Sequence, residues 1–263
     1  MIASRATPAR VITAIVTAFT VAAVGAALGA WAGWRGAPAL PSDQAALSLI
    51  GPNTGLRVVE RHDAAFAYEH PAGPLTWIIG DDDYNGGSVF MITTTATVEA
   101  ITAGLAAQDW HKSDNPDYGG SALSRADLWV NVYPAHATAR PSPPGGPAEA
   151  VAVELARSQP APVWPFTAAG YALGLAAGAL LGFAARRLSL FVLAAGLLLM
   201  LPGTVLTTGD LVAALTLPAD VSPPALWGDY LFFGVRALTT VGLLLLAAAI
   251  PLSYRDVRRG RGA

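Results

Sequence analysis

The sequence predicts a membrane α-helical protein with four transmembrane helices and an extracytoplasmic α+β domain between helices 1 and 2. Of its 263 residues, 53% are hydrophobic and only 13% are charged, a balance unusual for a water-soluble chain. The apolar residues are concentrated in four long segments, and the basic residues cluster on one side of them. These observations together predict the fold class.

The first span covers residues 11–34, which contain no charged side chain. A helix of about 20 residues crosses about 30 Å of hydrocarbon. The same criterion predicts spans at residues 164–185, at 188–207 and, together with an interfacial segment, at 226–254. The other segments are a cytoplasmic N-terminus at 1–10, the extracytoplasmic domain at 35–163, an outer loop at 208–225 and a basic cytoplasmic tail at 255–263.

The first segment has a second interpretation, a cleaved signal peptide. Arg5 and Arg10 precede it, and Ala37-Pro38-Ala39 resembles a small-residue cleavage site. Its apolar run is longer than the usual h-region of about 7–15 residues, which favours an uncleaved anchor.

Charge predicts the orientation of the spans. Residues 35–163 carry fourteen acidic and seven basic residues, a net charge of −7, whereas arginines gather at the opposite ends of the helices. By the positive-inside rule both termini are cytoplasmic, in the cell membrane. Four tryptophans map to the outer interface and Tyr254 to the inner one, as expected for interfacial rings. The arginines are Arg5, Arg10, Arg186, Arg187, Arg255, Arg258, Arg259 and Arg261; the tryptophans are Trp31, Trp34, Trp164 and Trp227.

Glycine recurs every fourth residue in the first two spans, forming a glycine zipper in each. Such small-xxx-small stripes let helix backbones approach closely in lipid. The first two spans are therefore expected to pack on each other or on copies of themselves. The stripes consist of Gly25, Gly29 and Gly33 in the first span and Gly170, Gly174, Gly178 and Gly182 in the second.

The extracytoplasmic domain is predicted to have the order β-β-α-β-β, with an antiparallel sheet and a helix packed on one face. Ser42 caps a short helix to Leu49, and Thr97 caps a helix at 98–110. In the last two strands, apolar residues alternate with other residues, with Val130 and Val153 on the apolar side. The strands are predicted at 57–60, 64–68, 75–79, 88–93, 128–133 and 151–155.

Arg236 is the one charge that falls near the inside of a span. Intramembrane charges are functional by default, but Arg236 at the outer boundary would instead extend its guanidinium into the headgroups. Asp229, seven residues earlier, is its predicted partner. In the preceding segment, Pro202-Gly203 predicts a kink, and residues 211–215 predict a short interfacial helix capped by Asp210.

Asp81, Asp83 and Asn85 match the opening of a calcium-binding loop, in which alternate oxygens converge on the ion. The glutamate required at the twelfth position is Ile92, so a polar hairpin turn around Asn85-Gly86 is the competing interpretation. The histidines have no metal-ligand spacing, and Ser121 and Ser124 fall in a predicted loop without a nucleophile motif.

No cysteine is present, which excludes disulfides and thiolate chemistry. The sequence contains no nucleotide-binding motif, so no cofactor is predicted, and the acidic domain makes nucleic acid an unexpected partner. The leading hypothesis is a non-enzymatic membrane protein whose outer domain recognises a protein or ligand, with the glycine-striped helices as a second surface for a partner. The alternatives are an accessory subunit of a transport or export complex and, third, an envelope enzyme. The abundance of arginine, alanine, glycine and proline indicates a high-GC bacterium.

Overall fold

A computed structural model describes residues 8–51, 54–63, 67–68, 84–85, 87–112, 121–135, 150–185, 187–216, 226–231 and 235–259. Within these ranges the chain forms a bundle of long helices and a separate antiparallel sheet. The helices are α1 (Pro8–Trp34), α2 (Asp43–Ile50), α3 (Val98–Ala106), α4 (Val163–Ala184), α5 (Arg187–Thr216), α6 (Gly228–Leu231) and α7 (Val235–Arg259).

Four of these helices, α1, α4, α5 and α7, are long and apolar enough to cross a membrane. They pack as two antiparallel pairs, α1 with α4 and α5 with α7. The two pairs meet where α1 contacts α5 and where α4 contacts α7. The four predicted apolar spans are thus present as helices.

The third span is longer than predicted. We expected it to end at 207 and to be followed by a loop and a separate helix capped by Asp210, but α5 continues without a break to Thr216. Thr208 donates a side-chain hydrogen bond to the carbonyl oxygen of Thr204 (2.6 Å), and Leu211 packs against the bundle core. Pro202 lies inside the helix rather than near its end.

The last span is preceded by a single helical turn, α6. Asp229 lies in α6 and Arg236 in the first turn of α7, so the predicted shared helical face does not exist within the described residues. The last span also continues through Pro251 to Arg259, past the predicted end at 254.

The domain between α1 and α4, residues 35–162, is called the sheet domain here. Its six-stranded antiparallel sheet has the order β1-β4-β8-β7-β6-β5, and β2 and β3 form a separate two-stranded ladder. The strands are β1 (Arg57–Arg61), β2 (Ala67–Tyr68), β3 (Tyr84–Asn85), β4 (Ser88–Thr93), β5 (His111–Lys112), β6 (Ser121–Arg125), β7 (Leu128–Pro134) and β8 (Val151–Arg157).

Two strands of this sheet, β5 and β6, were not predicted, and Ser121 and Ser124 therefore lie in a strand rather than in a loop. Both strands lack a clear alternation of β-branched residues, and β5 has only two residues. The predicted strand at 75–79 lies outside the described residues. The predicted strand at 64–68 is described only at Ala67–Tyr68.

Both predicted helix caps of the sheet domain are confirmed. The side chain of Ser42 accepts a hydrogen bond from the Ala45 amide (3.3 Å), and that of Thr97 accepts one from the Ala100 amide (3.2 Å). The second helix is shorter than predicted, because Asp109 has a positive φ of 63° and turns the chain back. Trp110 is thereby buried beside the helix.

The predicted apolar side of β7 and β8 is confirmed. Val130, Val132, Val153 and Leu155 are buried in one core with α2 and α3. In α3 itself, Ile101 and Leu105 join this core, whereas Ala106, predicted on the same face, is exposed.

Candidate functional site

The two glycine stripes face each other along α1 and α4. A Cβ built on Gly25 would overlap the carbonyl oxygen of Gly170, and one built on Gly170 would overlap that of Gly25. Gly29 lies in the same way against the backbone of Phe166, and Gly33 against Val163. Of the two predicted alternatives, the stripes therefore pack on each other within the chain.

At the other end of the pair, alanines of α1 complete the stripe. A Cβ on Gly178 would lie 2.7 Å from the Cα of Ala18, and one on Gly182 would lie 2.5 Å from the Cα of Ala14. This continuation was not predicted from the sequence. Its signal is alanine at every fourth residue, at Ala14, Ala18, Ala22, Ala26 and Ala30.

The second helix pair has its own close approach, also missed from the sequence. A Cβ on Gly196 of α5 would lie 3.0 Å from the carbonyl oxygen of Gly242 in α7, and the reverse distance is also 3.0 Å. Gly196 and Gly242 are single glycines that belong to no periodic pattern, so the sequence gave no indication of this contact.

Two arginines of the sheet strands form hydrogen bonds and an ion pair with the segment that follows α1. Arg157 is only 8% exposed, and its guanidinium donates to the carbonyl oxygens of Pro38 and Asp63, both at 2.7 Å. Arg61 donates to the carbonyl oxygen of Pro41 (2.8 Å) and forms an ion pair with Asp43 (2.8 Å). We call these four side chains, Arg61, Arg157, Asp43 and Asp63, the linker clamp.

The linker clamp shifts the pKa values of its members. The hydrogen bond from Arg61 lowers the pKa of Asp63, which stays ionised at neutral pH. Burial lowers the pKa of Arg157, although its ordinary value is high enough that it remains charged. Because Arg157 ends β8 just before α4, the clamp connects the linker after α1 to the strand that leads into α4.

The face of the sheet opposite α2 and α3 carries a second buried apolar cluster around Phe90, Ile92 and Tyr133, with polar side chains beside it. In the strand register Asn131 pairs with Glu154, Glu154 with Phe90, and Phe90 with Glu60. One step along, Trp129 and Ser88 flank Ala156. We call this group the polar face: Glu60, His62, Ser88, Trp129, Asn131 and Glu154.

The polar face contains hydrogen-bonding groups that are buried without a partner. Asn131 is 1% exposed and Ser88 is 2% exposed. Within the described part of the chain, neither the Asn131 Oδ1 nor the Ser88 Oγ accepts or donates a hydrogen bond. Each such group costs about 1–3 kcal/mol of stability. At the edge, His62 Nε2 lies 2.8 Å from Glu60 Oε1.

None of the glycines, calcium-loop residues or charged residues predicted as site residues lies in the polar face. Asp81 and Asp83 of the calcium candidate lie outside the described residues, and Asn85 pairs with Ala67 in the small ladder. Among the residues the structure describes, no three His, Asp or Glu side chains converge as metal ligands would. His111 is exposed in β5.

Asp229 and Arg236 lie at the end of the bundle that bears the sheet domain, but they do not pair. Over the described ranges, Asp229 forms no ion pair with Arg236; it faces Asp210 and Thr207 of α5 instead. Burial, and then the charge of Asp210, raise the pKa of Asp229 to about 7. Helix α5 has 30 residues, about 45 Å at 1.5 Å per residue, and is therefore longer than the about 30 Å of hydrocarbon that a span has to cross.

Arg236 lines a cavity of about 460 Å³ between α1 and α7. Trp31 and Trp227 border it at the same level, and Trp227 contacts Trp34 edge-on, with ring centroids 6.3 Å apart. Three of the four tryptophans predicted at one interface, Trp31, Trp34 and Trp227, thus gather at one end of the bundle near Arg236.

No protein-family model, curated protein or solved structure matches this chain. Its function is therefore inferred from the geometry of its own residues.

Proposed function

We propose that this is a multi-pass membrane protein whose sheet domain lies outside the cell and recognises a protein or ligand, while the helices anchor it. The polar face carries this proposal. Two nearly fully buried polar groups, on Asn131 and Ser88, have no partner among the described residues. Both groups are too buried for a partner to touch, so contact falls to the half-exposed side chains of Glu60, Trp129 and Glu154 around them. The unpaired groups beneath that surface cost stability, as functional sites often do.

The attachment of the sheet domain supports the same proposal. The packed glycine stripes join α1 and α4 into one stem, and the linker clamp binds the segment that follows α1 to the end of β8. Because both ends of the domain are held in this way, its position and orientation relative to the membrane helices are constrained. The stripes are also covered within the chain, so they are not the surface for a partner.

The chemistry of the polar face favours a cationic group on that partner. Glu60 and Glu154 contribute carboxylates, and the domain has a net charge of −7. Trp129 offers an aromatic ring at which a cation can stack. A basic segment of an extracytoplasmic protein fits this surface.

Cross-linking in intact cells tests the proposal, because the chain has no cysteine and single cysteines can be introduced at will. Ser124→Cys places a reactive group beside Trp129 on the polar face. Ala103→Cys, exposed on α3 over the opposite face, is the matched control. We expect a membrane-impermeant cross-linker to join a partner to the first variant and not to the second, and Asn131→Leu to abolish the product.

Equal products from both cysteines, or survival of the product in Asn131→Leu, would contradict recognition by the polar face. Failure of the impermeant reagent to react at position 124 until cells are lysed would contradict the orientation. Recovery of a multi-spanning or ATPase protein, cross-linked through the helices instead, would favour the accessory subunit of a transport or export complex.

A further inference from the structure

A cleft runs between α1 and α7 along the bundle and is composed of two stacked cavities. The cavity nearer the sheet domain has a volume of about 460 Å³, and the one below it about 680 Å³. Both volumes lie in the range of small-molecule sites, about 300–1,000 Å³. Val24 and Leu243 line both cavities, so the two adjoin, and together we call them the α1–α7 cleft.

The polarity of the α1–α7 cleft changes along its length. The upper cavity contains Arg236 and the buried hydroxyl of Thr239 (5% exposed). The Thr239 hydroxyl has no hydrogen-bond partner among the residues that the structure describes, whereas the Tyr230 hydroxyl lies beside Thr204 and Thr207 of α5. The lower cavity is lined by apolar side chains except for Ser253, whose hydroxyl already donates to the carbonyl oxygen of Ala249 (2.8 Å).

The charged end of the cleft lies at headgroup level. Arg236 is the second residue of α7, whose apolar span runs from Val235 to Ser253. Trp31 and Trp227, residues typical of the interface, border the same cavity. The guanidinium of Arg35 stacks over the Trp31 ring at 4.9 Å, which places a second positive charge beside the opening.

We propose that the α1–α7 cleft binds an anionic phospholipid of the surrounding membrane. The phosphate lies at Arg236, where a planar guanidinium binds its oxygens in a charge-assisted pair. The hydroxyl of Thr239 supplies a further hydrogen bond, and an acyl chain follows Leu243 into the apolar lower cavity. Charge complementarity favours an anionic headgroup, and the apolar lower cavity favours a lipid over a free phosphate.

The test compares lipid binding to the full chain in mild detergent by native mass spectrometry. The probes are phosphatidylglycerol and phosphatidylcholine with the same acyl chains. We expect the wild-type protein to retain phosphatidylglycerol at least about tenfold more strongly, since an ionic hydrogen bond contributes about that factor. Equal retention of the two lipids would overturn the proposal.

Variants locate the bound lipid. Arg236→Gln should abolish the preference for phosphatidylglycerol, whereas Arg57→Gln, an exposed arginine on β1, should leave it intact. Thr239→Val removes one hydroxyl at nearly constant volume, should weaken phosphatidylglycerol binding several-fold and remains informative if Arg236→Gln does not fold. Leu243→Trp fills the cleft without changing charge and should reduce retention of both lipids.

Preference unchanged in both Arg236→Gln and Thr239→Val would contradict the assignment to this cleft. An intermolecular cross-link between copies carrying Leu243→Cys would instead show that a second copy of the chain occupies it. Because the readout is lipid binding, its outcome is independent of whether the sheet domain recognises a partner.

Discussion

Replacing Gly178 with alanine tests the packing of the two stem helices most directly. A Cβ at this position would lie 2.5 Å from the carbonyl oxygen of Thr17 and 2.7 Å from the Cα of Ala18. Both are backbone atoms, so no side chain can rotate to make room. Ordinary contact between carbons is about 3.5–4.0 Å, and α1 and α4 must therefore separate locally by about 1 Å.

The expected cost follows from this displacement. Overpacking of a well-packed site costs about 1–3 kcal/mol, because helices that move apart lose close contacts on both sides of the substitution. Gly209→Ala in α5 is the matched control, since no atom lies within 4 Å of its Cβ position. Both substitutions improve intrinsic helix propensity by about 1 kcal/mol, so their difference isolates the packing term.

The free energy of unfolding can be measured for the full chain in mild detergent by titration with a denaturing detergent. We expect Gly178→Ala to be less stable than Gly209→Ala by about 1–3 kcal/mol. The pair Gly174→Ile and Gly178→Ile should lose more, though not additively, because the sites are neighbours. Equal stabilities of the Gly178 and Gly209 variants would refute the close packing of α1 on α4.

Three further predictions concern the sheet domain and its attachment. Asn131→Leu should raise the melting temperature of the full chain while abolishing partner recognition, because it removes a buried, unpaired amide oxygen; a lower melting temperature would mean that the amide has a structural partner. Arg157→Gln should destabilise the protein by about 1–3 kcal/mol through loss of its bonds to two carbonyl oxygens, and exposed Arg57→Gln should have almost no effect. The pKa of Asp229 is raised to about 7, so the folded state binds this proton more tightly than the unfolded state. Stability should therefore fall as the pH rises from about 4 to 7, by roughly 1–2 kcal/mol after solvent screening, and a slope that persists in Asp229→Asn would place its origin elsewhere.

Local patterns in the sequence predicted the elements that depend on local physics. Runs of about 20 apolar residues predicted the four helices because hydrocarbon demands that length. The alternation around Val130 and Val153 predicted which side of the strands is buried, since strand side chains point alternately to opposite faces. Ser42 and Thr97 were identified as caps because each bonds an amide only three residues away.

The ends of helices and the pairing of side chains were harder to predict from the sequence, because contacts between residues far apart in the chain decide them. Helix α5 continues beyond the predicted end at 207, because Leu211 packs against apolar residues of the bundle core. The ion pair expected between Asp229 and Arg236 does not form, because the first faces α5 and the second lines the α1–α7 cleft. Spacing along one chain could not distinguish these two environments.

The sequence alone determined that the chain has four membrane-length helices, where the glycine stripes lie and how charge is distributed about them. Only the tertiary structure decided that the stripes pack on each other within the chain, and that Asn131, Glu154 and Ser88 share one face of a sheet. The physical reason is that burial in lipid and strand alternation act residue by residue, whereas strand order and helix partners depend on contacts between residues far apart in the chain.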